Sequence, residues 1–222
     1  MTTTIQPRLT QVFRFLHARY AAGVAELAYA FDDGEAMVER IRFPHAPALP
    51  RERQAAFDAA LKLLHLVAGV SYYKAGVPPK IELADGPLDD ATAELLDQLY
   101  LHGLAEFAYR NGLDLRGRIN FPRGGSTPTV GALELPKRTL VPIGGGKDSL
   151  VAVEAIKSIG GEATAVWVGN SALIAACAER TGLPTLNIQR ELAPGLFELN
   201  RLGAWNGHIP VTAVNSAILA VA

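Results

Sequence analysis

The chain has 222 residues, 49% of them hydrophobic and 19% charged, with a formal net charge of −1 at pH 7. That composition is globular, with length for a substantial core; it excludes a disordered chain and an overall basic field that would draw nucleic acid or an anionic membrane. The single cysteine, Cys177, excludes an internal disulfide and a Cys-x-x-Cys metal or sulfur-relay site, and its apolar helical setting reads as an inert core thiol. The polar start, Met1 to Arg8, has no signal-peptide apolar region, and no apolar run is read as membrane-spanning, so the expected compartment is the cytoplasm. Nothing in the sequence signals an oligomeric state.

Three strands open the chain as a β-meander. Residues 12–20 alternate in part, 25–31 alternate clearly, Asp32-Asp33-Gly34 marks a turn, and 37–43 places Val38, Arg40 and Arg42 on one face and Glu39, Ile41 and Phe43 on the other. Arg14, His17, Arg19, Arg40 and Arg42 read as a solvated sheet face. A long amphipathic helix is predicted over 51–74, stopped by Gly76 and Pro78-Pro79. A short strand at 80–83 and a helix starting at Asp89 or Asp90 and running towards Tyr109 complete an N-terminal α+β domain, residues 1–113. His65 and His102 lie on apolar helical patterns and read as core or boundary histidines. Residues 114–136 carry Arg116, Arg118, Arg123 and Gly124-Gly125-Ser126-Thr127-Pro128 with little periodicity, and read as a linker to a second domain, 137–222.

That second domain opens with a short apolar strand, Leu140 to Ile143, then Gly144-Gly145-Gly146-Lys147-Asp148-Ser149, then helical spacing at Leu150, Val153 and Ile156. Strand, glycine turn and helix start form an order with a use. Helix N-termini carry unpaired N–H groups and partial positive charge, and glycines let the backbone approach an anion. Lys147 adds a cation and Ser149 a hydroxyl, while Asp148 either caps the helix or holds Mg²⁺ beside a nucleotide triphosphate. A Walker A loop is excluded because its first glycine position is Val141 and Asp148 follows Lys147; the Gly-x-Gly-x-x-Gly dinucleotide pattern does not fit either.

A strand at 163–169, a helix at 172–180 and a strand at 185–188 follow, so the spacing predicts a parallel, helix-covered sheet. Ligands on such sheets bind at the carboxyl ends of the strands, which puts the glycine turn, Gly169 and Asn170 on one edge. If ATP binds, its adenine is expected near Val168 to Asn170 through backbone contacts. The polar stretch 199–212 gathers Asn200, Arg201, Asn206, His208 and Thr212 ahead of an apolar helix, where substrate carboxylates or phosphates belong. The chain stops in mid-helix on an apolar run, 213–222, which reads as an N-terminal fragment of a longer enzyme.

Gly145, Gly146, Asp148 and Ser149 resemble the PP-loop of the ATP pyrophosphatase family, Ser-Gly-Gly-x-Asp-Ser, with Gly144 where that family carries serine. Together with Asn-Gly-His-Ile-Pro-Val-Thr at 206–212 and the meander in front, the chain resembles the ATP-dependent UDP-N-acetylmuramoyl-L-alanyl-L-glutamate epimerases of bacterial peptidoglycan synthesis. The resemblance implies an adenine-nucleotide α-hydrolase-like domain. It also implies ATP and Mg²⁺ as cofactors and a UDP-linked muramoyl dipeptide as substrate, activated as an acyl-adenylate before its α-carbon inverts. Gly144 to Ser149, Gly169 and Asn170 would bind nucleotide, Asp148 would hold Mg²⁺, and Lys147 would stabilise departing pyrophosphate. Asn200, Arg201, Asn206 and Thr212 would bind substrate. His208 is the histidine placed to carry a proton, or else to bind a substrate carboxylate. The alternatives are another adenylating PP-loop enzyme, for amide or thio transfer, and a nucleotide-binding module without turnover.

Overall fold

The computed structural model describes residues 6–126 and 132–222. Met1 to Ile5, and with Thr127 and Pro128 the end of the predicted linker's glycine-rich run, lie outside them.

The meander forms as its alternation predicts: β1 (Val12–Ala21), β2 (Val24–Phe31) and β3 (Met37–Arg42) pair antiparallel. Positive φ at Ala22 and Gly23 closes the β1–β2 hairpin in two residues, the geometry that matches strand twist. β4 (Lys80–Leu83) runs parallel to the outer side of β1. Further along, β5 (Arg138–Pro142), β6 (Glu162–Val168) and β7 (Thr185–Glu191) are mutually parallel. All seven strands share one sheet in the order β4-β1-β2-β3-β7-β6-β5.

That order corrects one expectation. The sheet is mixed rather than parallel, because β7 extends three residues past Ile188 and lays Gln189 to Glu191 antiparallel against Arg40 to Arg42. A buried ion pair accompanies this seam. Glu39, fully buried on the inner face of β3, accepts from Arg190 Nε at 2.7 Å, and Arg190 Nη2 also donates to Ser71 Oγ at 2.9 Å.

The helices are α1 (Gln54–Ala68), α2 (Val70–Tyr73), α3 (Asp90–Gly103), α4 (Ala105–Asn111), α5 (Lys147–Ile159), α6 (Ala172–Arg180), α7 (Pro194–Arg201) and α8 (Val211–Val221). Asp89 caps α3 by accepting from Thr92 N. α1 packs on β1, β2 and α8, where Val214, Ala217 and Ile218 are buried. The largest apolar cluster reaches from β1 to α8, with Tyr29 and Tyr72 stacked at 4.6 Å in its centre. A smaller cluster, Val141, Ile143, Val153, Ala165, Trp167 and Ala178, lies among β5, β6, α5 and α6, with Cys177 half-buried against it.

By length and mean hydropathy, Arg51–Tyr73 does suffice to cross a membrane, contrary to the sequence expectation; its burial, 56% of the most apolar window, together with its packing marks it as a core helix. Leu115, Ile119 and Phe121, in the segment read as linker, are buried in the main cluster.

His65 is the buried histidine of α1, with Nε2 at 3.0 Å from Ala28 O, and burial lowers its pKa to about 4. A histidine near 6.5 when unfolded must then charge on unfolding at mildly acid pH. Its contribution, on the order of 3 kcal/mol, is fully present above about pH 6.5 and is lost as pH falls towards about 4. Urea midpoints measured across that window should fall in the native protein and fall much less in His65→Phe; parallel curves would refute the assignment.

Candidate functional site

Two groups of predicted residues take shape separately. The first is the turn from β5 into α5. Gly146 is the N-cap of α5 and, having no side chain, leaves the first-turn N–H groups without a capping acceptor. Gly145 sits at φ +80°, where a side chain is strained, and an added Cβ would lie 3.3 Å from Ile174 Cγ1. Around Gly146 the space is open. Ser149 Oγ accepts from Gly144 N at 3.0 Å, so this hydroxyl both ties the turn shut and keeps its proton for another acceptor. A Cβ at Gly144 would lie 3.7 Å from Ser149 Oγ, an ordinary contact, so the turn has room for a serine there. Lys147 and Asp148 are exposed in the first turn.

The turn therefore offers an anion what it needs: free amides, a cation and a donor hydroxyl. No group of three His, Cys, Asp or Glu side chains suited to a metal occurs among the described residues, at Asp148 or elsewhere. A Mg²⁺ ion at Asp148 would draw most of its oxygen ligands from phosphate and water, which is how Mg²⁺ is ordinarily held. Gly169, at the end of β6, gives its N–H to Ile188 O at 2.8 Å, and Asn170 beside it is exposed.

The second group lies on the stretch 199–212, which is not one loop. Asn200 and Arg201 belong to the last turn of α7, a helix the sequence reading did not anticipate. Arg201 pairs with Glu198, and Asn200 Oδ1 is buried with no hydrogen-bond partner among the described residues. Thr212 is exposed in the first turn of α8, whose N-cap is Pro210.

Between the two helices, Asn206-Gly207-His208 is held tightly. Trp205 N donates to Ala75 O at 2.9 Å, and the Arg8 guanidinium lies 3.7 Å over the Trp205 ring. Asn206 Oδ1 accepts from Lys74 Nζ and from Gly207 N, each at 2.9 Å, and Asn206 O accepts from Asn111 Nδ2 at 3.1 Å. Gly207 passes so close to α4 that a Cβ would sit 3.0 Å from Phe107 Cδ2. His208 Nδ1 is 3.0 Å from Glu106 Oε2, with the histidine side chain 78% exposed. A carboxylate only accepts, so Nδ1 carries a proton; in the neutral form of the ring Nε2 then has its lone pair open to solvent or substrate. The His208 bond, its charge and Arg110 together hold the Glu106 carboxyl below its usual range. Glu106, Lys74 and Asn111 were missed from sequence: Glu106 lies 102 residues from His208, and its only visible partner is Arg110 at helical spacing.

Arg116 is paired with Asp114, and Arg123 with Glu94 and Asp97, so these two linker arginines are engaged within their own half. An open groove of about 1050 Å³ borders the second group, with Leu199 and Leu202 of that stretch and Glu198, the partner of Arg201, in its lining. Asp32, Asp33, Glu35 and Glu198 rim it, over Phe31 and Met37, which disfavours an anionic ligand there.

Comparison with known proteins adds the family. The model of the MurL N-terminal domain matches residues 4–222. Three relatives, each described as UDP-N-acetyl-alpha-D-muramoyl-L-alanyl-L-glutamate epimerase, align with it. The Xanthomonas oryzae protein is 58% identical over 95% of this chain and 48% of its own length. The Salinispora tropica protein is 42% identical over 89% and 44%, and a Micromonospora protein 41% identical over 89% and 45%. The chain thus spans about half the length of the curated relatives it matches. No solved structure matches. With a family model covering nearly all of it, the chain belongs to the MurL N-terminal domain family.

Proposed function

We propose that this chain supplies the nucleotide turn and a proton-carrying histidine to an enzyme that epimerises the terminal L-glutamate of UDP-N-acetylmuramoyl-L-alanyl-L-glutamate. The reaction uses ATP and Mg²⁺ and serves peptidoglycan precursor synthesis. The observation that carries this reading is the similarity to relatives named for that epimerisation along nearly the whole chain. The cytoplasm, where ATP and UDP-linked precursors meet, is the fitting compartment.

The chemistry explains the need for ATP. The α-proton beside a carboxylate is hard to remove, because the carbanion would form next to a negative charge. In the proposed course a carboxylate oxygen attacks the α-phosphorus and pyrophosphate leaves. The resulting acyl-adenylate no longer carries that charge, and its α-proton becomes removable. Reprotonation on the opposite face inverts the centre, and water releases AMP and the free carboxylate. The uncapped first-turn amides of α5 and Lys147 would face the charge that collects on the phosphates, and Asp148 would hold Mg²⁺, which would offset that charge. His208, its Nδ1 proton fixed on Glu106, moves a proton at Nε2.

The test incubates the protein at its full native length with ATP, Mg²⁺ and the UDP-linked dipeptide, and follows AMP and glutamate chirality together. AMP with D-glutamate is expected. AMP without inversion would turn the reading towards another adenylating enzyme, and no AMP would leave an anion-binding turn without turnover.

The turn makes its own prediction. Gly145→Ala places a side chain in a left-handed conformation that costs about 1–2 kcal/mol, so ATP affinity should weaken by about 5–30-fold. Gly144→Ser, with room for its side chain, should bind ATP at least as well as the native protein. Isothermal titration of both variants checks this, and equal affinities for Gly145→Ala and native protein would rule out the turn as the nucleotide site.

A further inference from the structure

Lys74 follows α2 directly and is 7% exposed, yet no carboxylate pairs with it among the described residues. Burial lowers its pKa, as expected for an ammonium short of both water and a counter-charge. A buried lysine in that state is costly, and a methionine would fill the same space without the penalty. What the lysine supplies is a donor: Nζ reaches Asn206 Oδ1 at 2.9 Å, across 132 residues of chain.

The consequence runs through Asn206. Its side-chain oxygen is gripped by Lys74, at the end of α2, and by the Gly207 amide, and its backbone oxygen by Asn111 from α4. Asn111 is itself fixed, because Nδ2 also donates to Phe107 O at 2.8 Å. A Cβ at Gly207 would lie 3.0 Å from Phe107 Cδ2, so the approach of the turn to α4 is close enough to favour glycine. The next residue is His208, whose side chain is exposed and, among the described residues, hydrogen-bonded through Nδ1 to Glu106 alone. Glu106 is exposed too and shared with Arg110, so it does not hold the imidazole unaided.

We infer that Lys74 is a positioning residue for His208: through Asn206 it sets the Asn-Gly-His turn at the distance from α4 at which the imidazole keeps its Nδ1 proton on Glu106 and presents Nε2 as the proton-carrying atom. Only the kinetic arm of its test depends on the epimerase reading given above.

The primary test is independent of activity. Ring ¹⁵N–¹H correlation spectra of histidine-labelled full-length protein report which nitrogen of His208 is protonated, with the resonance assigned by its loss in His208→Gln. In the native protein the Nδ1–H form dominates. Lys74→Met should lower the ratio of Nδ1–H to Nε2–H by about tenfold, the worth of one hydrogen bond to a charged acceptor. Lys74→Arg, which keeps a donor, should restore much of it. Asn206→Ala should reproduce the Met effect, and the double variant should be no worse than either single one, because both act through one contact. An unchanged His208 tautomer in folded Lys74→Met overturns the inference. Should that variant fail to fold, an unchanged tautomer in Asn206→Ala, altered at an exposed residue, overturns it instead.

In the kinetic arm, Lys74→Met should lower kcat for inversion by about tenfold with KM for the dipeptide nearly unchanged, the pattern of a displaced proton carrier. If His208→Gln epimerises normally, the role of His208 in the reaction fails, while the tautomer measurement still decides the role of Lys74.

Discussion

Replacing His208 by glutamine should lower glutamate inversion by about 10²–10⁴-fold, the usual worth of a positioned general acid or base. Glutamine keeps hydrogen-bonding capacity towards Glu106 but carries no proton at neutral pH. AMP formation should persist in this variant, since the residues proposed to activate the carboxylate lie on the separate β5–α5 turn. The two activities would then part company: pyrophosphate release continues while chirality and exchange of the α-proton with deuterated solvent stop. Glu106→Gln should fall between the two, because the imidazole survives but loses the acceptor that selects its tautomer. Deuterium incorporation at the α-carbon, measured by mass spectrometry beside chirality, is the decisive readout. Undiminished inversion in His208→Gln would move the proton chemistry to other residues.

Glu39→Ala should be the most destabilising single change in the sheet, at about 3–5 kcal/mol. The Glu39 carboxylate has no solvent exposure, and removing it strands the Arg190 guanidinium, whose side chain is only 13% exposed, with Ser71 as its remaining partner. In a protein of this size the loss corresponds to a Tm lower by roughly 6–20 °C. The companion Glu39→Met, Arg190→Met should recover most of the stability, because the cost lies in the unpaired charge more than in the absence of the pair. Thermal unfolding of the three proteins tests both statements. A shift under ~1 kcal/mol for Glu39→Ala, the range of an exposed pair, would mean that water reaches the arginine.

The same pair shows how far the chain could be read in one dimension. Alternation placed Glu39 on the face of Ile41 and Phe43, and that face is buried, so an inward carboxylate was legible. Its partner was not, because Gln189-Arg190-Glu191 reads as the start of a loop; only pairing with β3 makes it strand. Pro194 and Gly195 hid α7 in the same way. They resemble breakers, but proline is well suited to the first helical position, where its missing N–H costs nothing. The glycine turn was readable because its shape rests on local backbone geometry, and it forms where expected. The His208 cluster was readable only as residue types, since Glu106 and Lys74 reach it from 102 and 132 residues away.

The β3–β7 seam has a further consequence for synthesis. Arg190 lies 151 residues beyond the Glu39 it must meet, so β3 leaves the ribosome long before the strand that will cover its outer side. At ordinary elongation rates of about 5–20 residues per second, that interval lasts on the order of ten seconds. During it the nascent chain carries an open strand edge, with an inward-facing carboxylate that has no counter-ion. Such an edge invites pairing with other chains, and a charge beside it discourages that pairing. Glu39 thus guards the nascent edge before it anchors the finished sheet.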